Sequence, residues 1–111
     1  MREIIHYIEN KKSLALMIDQ RLSEGEKLTF FQKDALTTTL PAQIAFKYGL
    51  DIVPVFIERK NDNSFEMQIY KPINVKNFND KIEVSRKLNQ LLENMIIKNP
   101  NQWIWTHDRW K

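Results

Sequence analysis

The sequence predicts a mixed α/β domain: a βαβ unit, a hairpin and a long C-terminal helix around a mixed sheet. Three observations lead there. Residues 14–18 (Leu-Ala-Leu-Met-Ile) form a continuous apolar run flanked by polar residues, the pattern of a strand buried on both faces. Residues 52–57 form a second apolar run, and helix-period residues lie between the two. Behind Asp80, the residues Val84, Leu88, Leu91, Leu92, Met95 and Ile96 make one apolar stripe at helical spacing.

The elements follow in order. Residues 2–10 read as a short helix, with Ile4, Ile5 and Ile8 on one face. After the strand at 14–18, residues 19–38 read as a long loop, too long for a plain connector and therefore a candidate for function. Thr37, Thr38 and Thr39 offer an N-cap, Pro41 fits a first turn, and Gly49 ends the helix in the left-handed conformation. Pro54 cannot donate to a ladder, so the strand at 52–57 must be an edge or carry a bulge. Residues 60–63 form a turn. Phe65, Met67 and Ile69 then alternate with Glu66, Gln68 and Tyr70, a strand with one wet face that pairs antiparallel with 52–58. Asp80 and Glu83 form a capping box, and Asn99-Pro100 stops the last helix. Strand, helix, strand in that order predicts a right-handed crossover.

Composition narrows the classes. With 111 residues there is room for one domain. Hydrophobic content of 42% and charged content of 28% argue against disorder. The chain has no cysteine, which excludes disulfides and thiolate metal sites. Two distant histidines, His6 and His107, build no metal site, so neither metal nor cofactor is expected. The glycines, Gly25 and Gly49, form no phosphate loop. The net charge of +3 permits an anionic partner but specifies none. No apolar run reaches the roughly 18–20 residues that span a bilayer, and the first residues do not read as a signal peptide.

Three stretches carry a further signal. The first is Met17-Ile18-Asp19-Gln20-Arg21. The second runs through Phe30-Phe31, Ala35-Leu36-Thr37-Thr38-Thr39, Pro41-Ala42 and Ala45-Phe46-Lys47-Tyr48-Gly49 to Val53-Pro54-Val55-Phe56. The third is Asn99-Pro100-Asn101-Gln102-Trp103-Ile104-Trp105-Thr106-His107-Asp108-Arg109-Trp110-Lys111. Together they resemble the C-terminal halves of the late acyltransferases of lipid A biosynthesis, the lauroyl and myristoyl type, which end in P-E-Q-W-x-W-x-H-x-R-W. The sequence departs from that pattern at Gln32, where glycine is usual, at Asn101, where glutamate is usual, and at Asp108, where a basic residue is common.

The resemblance implies residues 1–111 as the C-terminal portion of one glycerolipid-acyltransferase-like domain. It implies transfer of a fatty acyl group from acyl carrier protein to a hydroxyl of a lipid A precursor, at the cytoplasmic face of the bacterial inner membrane. Acyl carrier protein, the lipid A precursor and the anionic membrane surface are then the expected partners, and nucleic acid is not. In the family the chemistry rests on an H-x-x-x-x-D/E motif, with histidine as general base and the carboxylate orienting it. That motif is not found here. His6 has Lys11 at the acidic position, and His107 stands too close to Lys111. No catalytic residue is therefore assigned, and the chain alone is expected to be inactive.

Arg21, with Asp19 and Gln20, is the candidate substrate contact, because open α/β sheets place ligands at the carboxyl ends of strands. An arginine there suits a phosphate; the alternative is an ion pair with Asp19 or Glu24. Phe30 and Phe31 are candidates for an acyl or membrane contact beside Lys27 and Lys33, against the alternative of core packing. The threonines can cap a helix or help bind an anion at its N-terminus. Trp103, Trp105 and Trp110 suit an interfacial belt or core packing, and His107 a packed or capping role. Two readings remain beside the leading one: a small basic α/β binding module, and a non-catalytic acyltransferase-like protein.

Overall fold

The structure, a computed structural model, describes residues 2–105 and 108–111. Helix α1 spans Arg2–Glu9 and buries no residue fully; Ile4, Ile5 and Ile8 are half-buried, as their shared face predicts. Residues 12–18 follow with no ladder partner among the described residues. This corrects the expected buried strand at 14–18. A strand needs neighbours, and the strands that do form pair with one another. Ile18 packs against the core, while Met17 is 92% exposed.

The expected loop over 19–38 contains a hairpin. Strand β1 (Glu26–Phe30) pairs antiparallel with β2 (Lys33–Thr37), in the register Leu28↔Ala35 and Phe30↔Lys33. Leu28, Phe30, Ala35 and Thr37 are buried; Lys27, Thr29 and Lys33 are exposed. The two linking residues, Phe31 and Gln32, both have positive φ, 50° and 66°. That is the combination of a type I′ turn, whose twist matches the strands it joins. Gly25, at the start of β1, lies against the Thr37 backbone. A Cβ there would come within 2.5 Å of the Thr37 carbonyl oxygen.

Helix α2 spans Leu40–Tyr48, with Pro41 in its first turn and Gly49 at its end in the left-handed conformation, φ 63°. The threonines act locally: Thr38 Oγ1 accepts from the Leu40 amide at 3.2 Å, and Thr39 Oγ1 accepts from Gln43 Nε2 at 2.7 Å. The chain then makes one long bent hairpin. At its base β3 (Asp51–Ile52) pairs with β6 (Ile73–Asn74); further out β4 (Val55–Arg59) pairs with β5 (Phe65–Ile69). Pro54 sits at the break between β3 and β4, where its missing donor costs nothing, and its carbonyl accepts from the Tyr70 amide at 3.0 Å. All pairing among the described residues is antiparallel, so the expected βαβ crossover is not formed. The mixed α/β class, the hairpin and the long C-terminal helix are as predicted.

That helix, α3 (Lys81–Lys98), is capped as the sequence predicts: Asp80 Oδ1 accepts from the Glu83 amide at 2.9 Å. The return bond from Glu83 Oε2 reaches the Asn79 amide, at 3.3 Å. α3 serves two apolar clusters. Val84 and Leu88 pack with Ala42, Ala45 and Val75; Ile96 and the half-buried Leu92 pack with Phe30 and Ala35. After Asn99 a 3₁₀ turn over Pro100–Gln102 leads into the tail.

The turn of the first hairpin yields a test. A non-glycine residue in the left-handed region costs about 1–2 kcal/mol, and glycine gives back part of that as unfolded-state entropy. Gln32→Gly is therefore expected to stabilise the chain by about 0.5–1 kcal/mol. A urea midpoint that stays the same or falls would show that Gln32 carries no backbone strain.

Candidate functional site

The three sequence stretches that carry the family resemblance meet at one place, on the first hairpin. Arg109, from the tail, is fully buried. Its Nη1 donates to the Leu36 carbonyl at 2.8 Å, and its Nη2 donates to Thr37 Oγ1 at 3.1 Å. The guanidinium also lies over the Phe30 ring, 5.2 Å from its centroid. Trp110 stacks on the other side of the motif: its ring is 5.5 Å from that of Phe30, and its Nε1 donates to the Phe30 carbonyl at 2.8 Å. The first stretch closes the arrangement, because Arg21 Nε donates to the main-chain oxygen of Lys111 at 2.9 Å.

Thr37 Oγ1 is the centre of the buried polar network. It donates to the Ala35 carbonyl at 3.0 Å and accepts from Arg109 Nη2 and from Asn89 Nδ2, the latter at 3.1 Å. Asn89 Nδ2 also reaches the Thr29 carbonyl at 3.3 Å. So α3, β1, β2 and the tail share one hydroxyl. Among the described residues, three buried polar atoms find no partner: Arg109 Nε, Asn89 Oδ1 and Ser85 Oγ. Burial lowers the pKa of Arg109, and the negative charge of Asp19 works against that shift. Asp19 is half-buried and acts on Arg109 through its field, with no direct ion pair between them among the described residues.

Each residue singled out in the sequence can now be placed. Arg21 is half-buried; besides Lys111 it reaches Ser23 Oγ, through Nη1, at 3.1 Å. It makes no ion pair with Asp19 or Glu24 among the described residues. Gln20 is exposed. Phe30 is fully buried, so it has no surface to offer a lipid. Phe31 is half-buried, edge-on to Phe30 at 4.9 Å, and its amide donates to Glu93 Oε1 at 2.6 Å. Trp103 packs beside Phe30, whereas Trp105 is exposed and donates through Nε1 to the Pro100 carbonyl at 2.8 Å. His107 lies outside the described residues. Arg109 was not among the expected site residues. The signal for it was present in the tail, an arginine directly before Trp110 and four residues after the Trp103-Ile104-Trp105 stretch.

Chemically, among the described residues the arrangement brings together the Arg21 and Arg109 guanidiniums, the Asn89 amide and the Thr37 hydroxyl. Arg21 and Lys111 give its outer side a positive character, able to receive an anionic group. The inner side, around Arg109, is a packed structural joint.

The fold is mixed α/β, with helices against small antiparallel sheets. A family model for bacterial lipid A biosynthesis acyltransferases matches residues 1–111, and the chain belongs to that family. No curated protein sequence matches it.

Removing Arg109 would leave the Leu36 carbonyl without its partner, halve the donors to Thr37 Oγ1, and open a cavity against Phe30. Losing two hydrogen bonds from a charged group, each worth about 1.5–3 kcal/mol, costs about 3–6 kcal/mol. Arg109→Ala is expected to lose that much in chemical denaturation. Arg109→Lys should recover little of it, since one ammonium cannot reproduce the two-pronged contact. Full stability in the lysine variant would mean that charge, not the planar fork, holds the joint.

Proposed function

We propose that the chain serves transfer of a fatty acyl group from acyl carrier protein to a hydroxyl of a lipid A precursor, at the cytoplasmic face of the bacterial inner membrane. In this reading it supplies a substrate-binding portion of the acyltransferase fold and no general base. The observation that carries it is the convergence of Asp19-Gln20-Arg21, the first hairpin and the Trp-Arg-Trp tail on one site. Those stretches lie up to 90 residues apart in sequence. Their meeting is what a shared site requires and what three unrelated coincidences would not produce.

Arg21 is the residue through which the site would meet its substrate. Its Nε and Nη1 are held by Lys111 and Ser23, which fixes the plane of the guanidinium. A planar donor group fixed in this way suits a phosphate oxygen or another anionic part of the donor or acceptor. Asp19 and Gln20 flank it on the same short segment. Phe31, at the turn, is the one of the two phenylalanines with surface left for an acyl chain. Proton abstraction from the acceptor hydroxyl needs a base within hydrogen-bond reach, and the 111 residues contain no H-x-x-x-x-D/E pair.

Two outcomes are expected. The purified chain transfers no labelled laurate or myristate from acyl carrier protein to a lipid A precursor above a no-protein blank; clear transfer would refute the assignment of no base. In a complete acyltransferase carrying these residues together with a histidine–carboxylate pair, Arg21→Ala lowers kcat/KM by about 10- to 100-fold, the loss of one charged hydrogen bond. A lower unfolding midpoint with unchanged kcat/KM would instead assign Arg21 to tethering the tail alone.

A further inference from the structure

The outer hairpin of β4 and β5 is a two-stranded sheet with one guarded edge and one open edge. The Tyr70 amide donates to the Pro54 carbonyl at 3.0 Å, and the Lys60 amide to the Ser64 carbonyl at 2.8 Å. Successive pairs in an antiparallel ladder alternate between bonded and non-bonded. Glu66 and Gln68 are therefore the β5 residues whose main chain bonds to β4. The main-chain N–H and C=O groups of Phe65, Met67 and Ile69 point the other way, off the edge of the sheet. Among the described residues these groups have no hydrogen-bond partner. On the β4 side the outward groups belong to Val55, Ile57 and Arg59, and there the Arg59 amide donates to Gln102 Oε1 at 2.5 Å.

The two edges also differ in protection. Sheets guard an open edge with proline, lysine, a bulge or a covering segment. β4 has Pro54 directly before it and Gln102 over its far end. β5, Phe65-Glu66-Met67-Gln68-Ile69, contains no proline, lysine or bulge. Its outward-bonding residues are also its apolar ones: Phe65, Met67 and Ile69 are 63%, 59% and 66% exposed. A two-stranded hairpin is marginal by itself, and further strands are what stabilise it.

We propose that β5 pairs with β5 of a second copy of this chain, across a two-fold axis at Met67, so that the two hairpins form one four-stranded antiparallel sheet. The strand is complementary to itself in this register. With Met67 opposite its own counterpart, Phe65 of each copy stands opposite Ile69 of the other, and Glu66 opposite Gln68. The three outward residues then all fall in bonded pairs, as the alternation requires. On one side of the sheet apolar side chains meet across the new ladder; on the other a carboxylate meets an amide. Gln68 Oε1 receives Lys98 Nζ at 3.4 Å, which leaves Gln68 Nε2 to donate to Glu66 of the other copy. Sliding the pairing two residues one way sets Glu66 against Glu66, and like charges directly opposite are destabilising. Sliding it the other way takes Phe65 beyond the end of β5, to Lys71. An apolar medium does not serve this edge, because main-chain groups removed from water need hydrogen-bond partners. Main-chain pairing supplies them, as in other cases of strand addition to a sheet edge. An interface of five residues a side falls below the roughly 1,200 Å² of stable complexes, so the dimer dissociates on dilution. The inference stands on the hairpin alone and does not depend on the acyl-transfer reading.

The test reads the mass of the 111-residue chain by sedimentation velocity over a dilution series, together with cysteine cross-linking. The chain has no cysteine, so a single introduced thiol reports the register. Met67→Cys is expected to form an interchain disulfide on mild oxidation, since bonded antiparallel pairs hold their Cα atoms about 5.5 Å apart, within disulfide reach. Phe65→Cys and Ile69→Cys leave like positions roughly 14 Å apart and are expected to cross-link about tenfold more slowly or not at all. Met67→Pro removes an N–H that points away from β4, which an edge strand tolerates. It is expected to weaken the dimer about 10- to 100-fold, the loss of two hydrogen bonds across the axis. Met67→Lys keeps those bonds and sets like charges opposite each other, and is expected to weaken the dimer as well. Far-UV circular dichroism checks that the fold survives, and the cross-linking pattern reads the register without either substitution. A chain that stays monomeric at every concentration overturns the proposal. So do equal cross-linking rates at the three positions. So does a dimer that survives Met67→Pro and Met67→Lys but is lost in Leu16→Lys, which would assign association to the unpaired segment at 12–18. Acyltransferase assays leave the outcome unchanged in either direction, so failure here is separable from failure of the proposed function.

Discussion

One hydroxyl group holds the chain together. Thr37 Oγ1 receives Arg109 from the tail and Asn89 from α3, and gives its own proton to the Ala35 carbonyl. Every hydrogen-bonding position on that oxygen is used. The cost of burying an arginine is large, and it is offset only when the donors are matched and an opposite charge is near. Here two of the Arg109 nitrogens are matched and Asp19 supplies the field. Among the described residues Nε finds no partner, and neither do Asn89 Oδ1 and Ser85 Oγ. Because a half-satisfied buried network is sensitive to any further loss, the joint ties the stability of hairpin, helix and tail to one another. Phe30 packs against both the Arg109 guanidinium and the Trp110 ring.

The elements that the sequence made legible are those whose signals are local. α3 has an apolar stripe, a capping aspartate and a stopping proline. α2 has Pro41 and Gly49 at the right ends. The β4–β5 hairpin has a polar turn between an apolar run and a strictly alternating strand. What was illegible depends on partners. The run at 14–18 has no period, and an apolar run without period says only that burial is suited, not where it is found. The β1–β2 hairpin was hidden by its turn. Phe-Gln is not a pair that advertises two left-handed residues, as Asn-Gly would, so two short strands passed as loop. A structureless stretch of that length in a small domain is itself an argument for a missed element.

The site was partly legible for the same reason. Arg21 could be picked out by its place after an apolar run, although that run is not a strand; its position rests instead on Lys111 and Ser23. The burial of Arg109 could not be read from its type, because arginine is nearly always exposed unless paired. Phe30 and Phe31 show how neighbours diverge. One faces into the core and the other sits at a turn, half-covered, with its amide held by Glu93. In a two-residue turn the chain reverses between them and β2, and the side chains leave in different directions.

The tail that carries most of the family resemblance is thus explained by packing before any chemistry is invoked. Trp103 and Trp110 flank Phe30, and Arg109 bonds the strand behind it. Their spacing is what the hairpin requires, whatever reaction takes place beside it. The residues that close the joint are therefore fixed by packing, independently of any residue that would move a proton. The outer hairpin makes the same point from the other side. Its strand pattern is fully formed and its turn is satisfied, with Asp62 Oδ1 accepting from the Ser64 amide at 3.1 Å, yet its apolar face is left open. Local geometry completes a hairpin without deciding what covers it: Val55 pairs with Ile69 and Ile57 with Met67, yet all four stay more than 40% exposed.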